Sequence, residues 1–216
     1  MLICTLIVSC KSNPDKNDRP ISENGERIPL QESNPQEADH SISIELNQDQ
    51  HDEIDNLQNA EEKEIFLTEL FERYEMANPD FAQGVAFKHG FNSEKHKEKI
   101  SELKSEKELI FLLIKRYLAR HGYPSEIGNF NWKAKTIIQK VVRDRRNYDD
   151  QNDVLELLIA NQSISSNNLL GMSFVLPEMY RSKNNGRHYK YTSGNLSLRE
   201  MVQEISKELG VETLNK

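Results

Sequence analysis

Basic and aromatic side chains are concentrated in one stretch near the carboxyl end of the chain. Arg181, Arg187, His188 and Tyr189 all fall within nine residues. Guanidinium groups bind carboxylates and phosphates through paired hydrogen bonds, and tyrosine rings offer faces for stacking on sugars or bases. We therefore predict that these four residues form a binding site for an anionic ligand.

A second group of cations lies on or beside a predicted helix earlier in the chain. Its members are Lys133, Lys135, Lys140, Arg143, Arg145 and Arg146. If the two groups met in space, they would form one anion-binding site. The alternative, which the usual behaviour of exposed charges favours, is that both are solvated faces whose cations pair with neighbouring glutamates.

The sequence contains no motif that names a reaction. None of the six histidines has a partner four residues away, which excludes a helical zinc site of the His-Glu-x-x-His type. The glycines are isolated, and no Gly-x-Ser-x-Gly motif marks a nucleophile. His121 adjoins Gly122, where we interpret it as a cation at the carboxyl end of a helix. We expect no metal and no cofactor, and this favours a binding module over an enzyme.

The first ten residues indicate where the protein resides. A short apolar run ends at Ser9-Cys10, and a polar segment follows directly. Ile7-Val8-Ser9-Cys10 resembles the signal of bacterial lipoproteins, in which the cysteine is acylated and becomes the new N-terminus. The resemblance implies that residues 1–9 are the remnant of a signal peptide. It also implies that Cys10 is lipidated and anchors the protein to a membrane surface of a bacterial cell envelope, on a periplasmic or outer face.

Two observations bear on this interpretation. The apolar run is far shorter than the roughly 20 residues that a transmembrane helix needs. No positive charge precedes it, although signal peptides begin with one, and a natural start further upstream would explain the difference. The alternative is a cytosolic protein whose N-terminus is apolar by chance.

Charge divides the chain into two parts. Residues 11–60 carry 12 acidic and 4 basic side chains, a net charge of −8, whereas residues 61–216 carry 23 and 24, a net charge of +1. Residues 10–59 are polar and lack aromatic side chains, so we predict a disordered acidic tether that includes Ile44 and Leu46. Residues 60–216 are predicted to form one domain, and its near-neutral charge argues against nucleic-acid binding.

Apolar residues recur at helical spacing throughout the domain, which predicts a mainly α fold, an irregular bundle of about six helices. Ile65 and Trp132 are assigned to buried faces, and residues 187–192 are expected to be extended. The predicted helices run from Glu61 to Ala77, from Ser93 to Gly122 with a break at Ser105, from Asn131 through Val142, from Asp149 or Asp150 to Asn161, from Ser165 or Ser166 to a kink or end at Pro177, and from Ser197 to Gly210.

The middle of the domain resembles an uncharacterised family of bacterial helical domains. The resemblance covers residues 109–193 and rests on His121-Gly122-Tyr123-Pro124-Ser125, on Ile137-Ile138-Gln139 and on the turn at Gly186-Arg187. Met179-Tyr180 stand where that family has an Asp-Arg pair. Members often carry lipoprotein or secretory signals, so the resemblance implies a helical fold in the envelope and no activity.

Three functions remain open. The leading hypothesis is a lipid-anchored, non-catalytic module that binds an envelope protein or an anionic glycan. The rival is an envelope enzyme whose site is assembled from scattered residues, with Arg181, Arg187, His188 and Tyr189 as the first place to look. A cytosolic helical adaptor follows if the N-terminus is not a signal.

Overall fold

The computed structural model describes residues 44–124, 132–161 and 167–213. All regular secondary structure within these ranges is helical, which confirms the predicted mainly α bundle. A short 3₁₀ turn, Pro79–Ala82, lies between the second and third of eight α-helices. They are α1 (Gln48–Asp55), α2 (Ala60–Met76), α3 (Gln83–His89), α4 (Glu94–His121), α5 (Trp132–Arg145), α6 (Tyr148–Ala160), α7 (Asn168–Lys183) and α8 (Leu198–Leu209).

The second half of α4 is the centre of the core. Its side chains at Ile110, Leu113, Ile114, Tyr117 and Leu118 are almost fully buried. Helices α1, α2 and α6 pack against α4, while α5 packs on α2 and α7 lies between α6 and α8. The first half of α4 is more exposed, because Leu103 is its one buried apolar side chain. Together with α3, this half of the helix extends away from the core.

The folded unit begins earlier than the predicted boundary at residue 60. Helix α1 lies within the stretch that was predicted to be a disordered tether. Ile54 of α1 is 0% exposed, and Leu46 and Leu57 pack against the same core. One fully buried isoleucine and two partly buried leucines thus attach this otherwise polar stretch to the core. Cys10 and the rest of the predicted signal and tether up to residue 43 lie outside the described residues.

Local signals located most helix ends correctly. Ser93 caps α4 through its side chain, and Gly122 ends the helix with a φ of 68°. Ser197 and Glu200 form the predicted capping box of α8, which ends at Gly210 with a φ of 74°. The left-handed φ at both glycines is the region that favours this residue. The predicted starts at Asn131, Ser165 and Ser166 lie outside the described residues.

The predicted break at Ser105 is wrong, and Pro177 does not end its helix, which was one of the two outcomes predicted there. Helix α4 continues through Ser105, and α7 continues through Pro177 to Lys183. A proline inside a helix costs about 3 kcal/mol. Its neighbours Val175, Leu176 and Met179 are buried between α6 and α8, and their burial offsets that cost.

Two side chains that were assigned to buried faces are exposed. Ile65 is 52% exposed and Trp132 is 60% exposed. Trp132 begins α5 and places its ring edge against Phe71, with 5.1 Å between ring centroids. Both residues have apolar neighbours in the sequence, yet more than half of each remains exposed to solvent.

The segment after α2 also differs from the prediction. Asn78-Pro79 ends α2 as expected, yet the chain then forms the 3₁₀ turn and α3 before it reaches Ser93. Ala82 and Ala86 are buried against α4, whereas Phe81, Phe87 and Phe91 are more than half exposed. Small residues therefore face the core, and the aromatic residues face outward.

Candidate functional site

The candidate site begins where α7 ends. The amide of Gly186 donates to the carbonyl of Arg181 at 2.8 Å, and the amide of Asn184 donates to the carbonyl of Tyr180 at 2.9 Å. Asn185 and Gly186 adopt left-handed conformations with φ of 52° and 83°. This is the reversal that commonly ends a helix. It turns the chain back so that Arg187 leaves beside the last turn of α7.

Three tyrosines, Tyr180, Tyr189 and Tyr191, form what we call the tyrosine cluster. Tyr189 lies in the middle, with its ring centroid 5.0 Å from that of Tyr180 and 5.0 Å from that of Tyr191. Both pairs are edge-to-face, the arrangement that aromatic quadrupoles favour. Residues 187–191 belong to neither helix nor strand, and the ring contact of Tyr189 with Tyr180 holds this segment against α7.

Glu204 of α8 fixes the other side of the cluster. Its carboxylate accepts hydrogen bonds from the Tyr189 hydroxyl at 3.0 Å, the Thr192 amide at 2.8 Å and the Thr192 hydroxyl at 2.7 Å. The hydrogen bond from the Thr192 side chain is the main reason that the pKa of Glu204 is lowered. Burial and the adjacent Glu204 carboxylate raise the pKa of Tyr189 to about 12. Glu204 is therefore an ionised anchor for the segment, a role that its sequence neighbours do not signal.

The structure divides the four predicted residues into two kinds. Tyr189 is half-buried in the cluster, and Arg181 is half-buried and paired with Glu178 at 3.1 Å on its own helix. Arg187 and His188 are exposed to solvent beside the cluster. Arg187 and His188 are therefore the accessible members of the predicted set, and Lys190, between Tyr189 and Tyr191 in the sequence, is exposed as well.

The cations of α5 are occupied by acidic neighbours. Lys133 pairs with Glu72 at 2.7 Å, and Lys140 pairs with Glu75. Both contacts join α5 to α2. Arg145 pairs with Glu108 at 2.6 Å and Arg143 lies 3.5 Å from Asp144. This arrangement agrees with the interpretation of α5 as a solvated, ion-paired face, and such pairs contribute about 0–1 kcal/mol each.

A groove of about 460 Å³ opens between α2 and α4, and the predicted site does not line it. Met76, Ala77 and Leu103 provide its apolar lining, and the Arg73–Glu106 ion pair at 2.8 Å lies at its side. Among the described residues, no group of His, Cys, Asp and Glu side chains gathers in a way that could hold a metal ion. Within the same ranges, no helix is long and apolar enough to cross a bilayer.

His121 has a structural role that differs from the prediction. Its Nε2–H donates to the carbonyl of Ile54 at 2.8 Å and so joins the end of α4 to α1. Burial is the main cause that lowers the pKa of His121 below its usual value of 6.5, against the raising effect of that hydrogen bond. The lowered pKa favours the neutral imidazole, so the interpretation of His121 as a cation at the helix end is wrong.

We expect acid to weaken the fold through His121. Between pH 6.5 and the lower pKa of the folded state, the unfolded chain binds a proton that the folded chain does not. This contribution to stability is therefore present above pH 6.5 and is lost as the pH falls towards the folded-state pKa. Urea unfolding at pH 7 and pH 5 should show a smaller loss of stability in His121→Gln than in the wild type. His188→Gln, which replaces an exposed imidazole, is the matched control; identical pH dependence of His121→Gln and the wild type would contradict the assignment.

Comparison with known proteins finds no relative of this chain: no family model, no curated protein and no solved structure matches it. The resemblances to the lipoprotein signal and to a family of bacterial helical domains therefore stay predictions.

Proposed function

We propose that the protein is a non-catalytic binding module, attached to the bacterial cell envelope through lipid on Cys10, that recognises an anionic glycan. The observation that carries the ligand class is that an exposed cation, Arg187, and an exposed imidazole, His188, lie next to a cluster of three tyrosines. Glycan sites combine charged or polar hydrogen-bonding groups with aromatic faces in this way. The membrane attachment rests on Ile7-Val8-Ser9-Cys10.

The rigidity of the segment supports this proposal. Arg187 lies directly after a tight turn, and the residues that follow are held by Tyr180 on one side and by Glu204 on the other. A ligand that binds there does not have to order a flexible loop. Binding therefore costs less conformational entropy. The exposed Arg187 guanidinium suits one carboxylate or sulfate of a glycan; His188 offers a hydrogen-bonding group beside it, and Lys190 is also exposed.

Lipid attachment is tested by labelling. We expect the full chain, expressed in bacteria from its natural start, to incorporate a palmitate analogue, and we expect Cys10→Ala to incorporate none. The label is expected on Cys10 because the resemblance implies that this cysteine is acylated. Stable anchoring needs more than one acyl chain, and the bacterial lipoprotein modification supplies several. Cys4→Ala tests the other cysteine of the apolar run and should label like the wild type. An unlabelled wild type would favour the cytosolic adaptor instead.

Glycan binding is tested with polygalacturonate as the carboxylated probe and dextran as the neutral one. We expect Arg187→Ala combined with His188→Ala to raise the Kd for polygalacturonate about tenfold, because a hydrogen bond to a charged group contributes about 1.5–3 kcal/mol. Arg120→Ala, which removes an exposed cation from the end of α4, is the control for net charge. Equal weakening by Arg120→Ala, or an unchanged Kd in the double variant, would overturn the assignment.

Adding Arg181→Ala separates a cation that binds ligand from one that is already paired. Since Arg181 is engaged with Glu178 on α7, we expect little further change in the Kd when it is removed from the double variant.

A further inference from the structure

We propose that the turn between α3 and α4 inserts into the surface of an anionic lipid bilayer. The part concerned is residues 87–97, which we call the α3–α4 tip. The inference deepens the proposed function, since it names a direct contact between the folded domain and the membrane to which Cys10 would tether it. It does not depend on the glycan site.

The tip exposes two aromatic side chains that touch each other. Phe87 is 78% exposed and Phe91 is 59% exposed, and their ring centroids are 5.9 Å apart in an edge-to-face arrangement. Phe81, on the preceding 3₁₀ turn, is 60% exposed. Large apolar side chains that are clustered and exposed usually mark a binding surface.

The exposure belongs to an ordered turn. Gly90 ends α3 with a φ of 94°, and its carbonyl accepts hydrogen bonds from the amide of Ser93 at 3.2 Å and from the Ser93 hydroxyl at 2.8 Å. His96 of α4 contacts the carbonyl of Phe91 through Nδ1 and lies with its ring centroid 5.8 Å from that of Phe91. The backbone therefore holds Phe91 outward in a defined position.

The charge of the tip is complementary to an anionic surface. Its three lysines and one glutamate give a net charge of +2. Glu94 is paired with Lys97 at 3.0 Å, which leaves Lys88 and Lys95 exposed on either side of Phe91 without an ion-pair partner among the described residues. Aromatic side chains with flanking lysines are the usual composition of segments that lie in the membrane interface. Residues 11–60, by contrast, carry a net charge of −8, which does not complement an anionic bilayer.

Size favours lipid over a protein partner. Two phenylalanine side chains offer at most about 500 Å² of surface, whereas a stable protein interface needs about 800 Å² from each partner. Interfacial insertion requires a few apolar side chains that reach below the headgroups and cations that stay among them. The tip also stands at the far end of α4 from the core, and the 28 residues of that helix span about 42 Å.

The experiment is sedimentation of the full chain with lipid vesicles, carried out on Cys10→Ala protein so that no covalent lipid contributes. We expect binding to vesicles of equimolar phosphatidylglycerol and phosphatidylcholine, and weaker binding to phosphatidylcholine alone. Phe87→Ser combined with Phe91→Ser should raise the lipid concentration at half-binding by at least about tenfold. Lys88→Gln and Lys95→Gln should each raise it about fivefold and only on the anionic vesicles.

Ile65→Ser is the matched control, because it removes an apolar side chain that is 52% exposed on α2, outside the tip. We expect it to bind vesicles like the parent protein, and we expect all variants to keep the parent's thermal unfolding midpoint, since the altered side chains are exposed. A parent protein that does not sediment with anionic vesicles would overturn the proposal. So would a Phe87→Ser/Phe91→Ser variant that binds like the parent, or an equal loss in Ile65→Ser. Palmitate labelling of Cys10 is read separately, so the lipid anchor and the tip can fail independently.

Discussion

Replacing Asn168 by alanine is expected to lower the free energy of unfolding by about 3 kcal/mol. The side chain of Asn168 is 0% exposed at the start of α7. Its Oδ1 accepts from the Tyr123 amide at 2.6 Å, and its Nδ2 donates to the carbonyl of Asn161. Alanine would leave both buried groups without their partner, and each unsatisfied group costs about 1–3 kcal/mol.

The expected loss is large because Asn168 belongs to a chain of hydrogen bonds that joins three helix ends. The Nδ2 of Asn161, at the end of α6, donates to the carbonyls of Leu118 at 2.9 Å and Ala119 at 3.0 Å in the last turn of α4. The Leu118 carbonyl also accepts from the Gly122 amide at 3.0 Å, and carbonyls in the last turn of a helix lack the amide partners that a continuing helix would provide. Asn161 and Asn168 together therefore connect the ends of α4 and α6 to the start of α7.

Urea unfolding measures the effect, and Asn152→Ala provides the control. Asn152 donates to Glu156 at 2.8 Å on the surface of α6, where such a pair contributes about 0.2–0.5 kcal/mol. If Asn168→Ala changes the unfolding free energy as little as Asn152→Ala does, the asparagine chain does not stabilise the fold.

Replacing Ile54 by alanine is expected to release α1 from the bundle. Ile54 is the one fully buried residue of this eight-residue helix, and truncation of a buried isoleucine costs about 2–5 kcal/mol. A helix of this length is unstable in water without tertiary contacts. Its other attachments include the Asp55–Arg116 ion pair and the hydrogen bond from His121 to the carbonyl of Ile54, and the flanking Leu46 and Leu57 also pack against the core.

Hydrogen exchange measures this release. A loss of about 3 kcal/mol corresponds to a decrease of about a hundredfold in the protection of amides in residues 48–55. The amides in the second half of α4 should keep most of their protection, because the core around them remains packed. Glu53→Ala, which alters an exposed neighbour on the same helix, should leave the protection of α1 unchanged. Equal protection of α1 in Ile54→Ala and the wild type would show that other contacts hold this helix.

The attachment of α1 also affects how the domain would be held at a membrane. The chain enters the bundle through α1, so the proposed tether would join the domain next to the contact that Ile54, Asp55 and His121 make with α4. The acid sensitivity expected from His121 concerns the same contact. A variant that releases α1 would lengthen the tether by the residues of that helix.

The sequence alone was sufficient for the helical class and for most helix ends, because these depend on local interactions. Ser93, Ser197 and Gly210 act on amides and carbonyls within a few residues of themselves, so their roles can be identified without the rest of the fold. Helix α1 was missed because its order depends on one isoleucine that meets α4 more than fifty residues away along the chain.

The site residues show the same division. Their types predicted an anionic ligand, but which cations are free to bind one depends on pairing between distant segments. Lys133 and Lys140 of α5 meet glutamates of α2, whereas Arg187 and His188 stay exposed beside the tyrosine cluster. The outward position of Phe87 and Phe91 was equally hidden in the sequence, where an apolar side chain first suggests the core. Residue types and short-range spacing thus determined the helices and the chemistry available, and the tertiary structure decided which groups face solvent, because burial and ion pairing depend on distant parts of the chain.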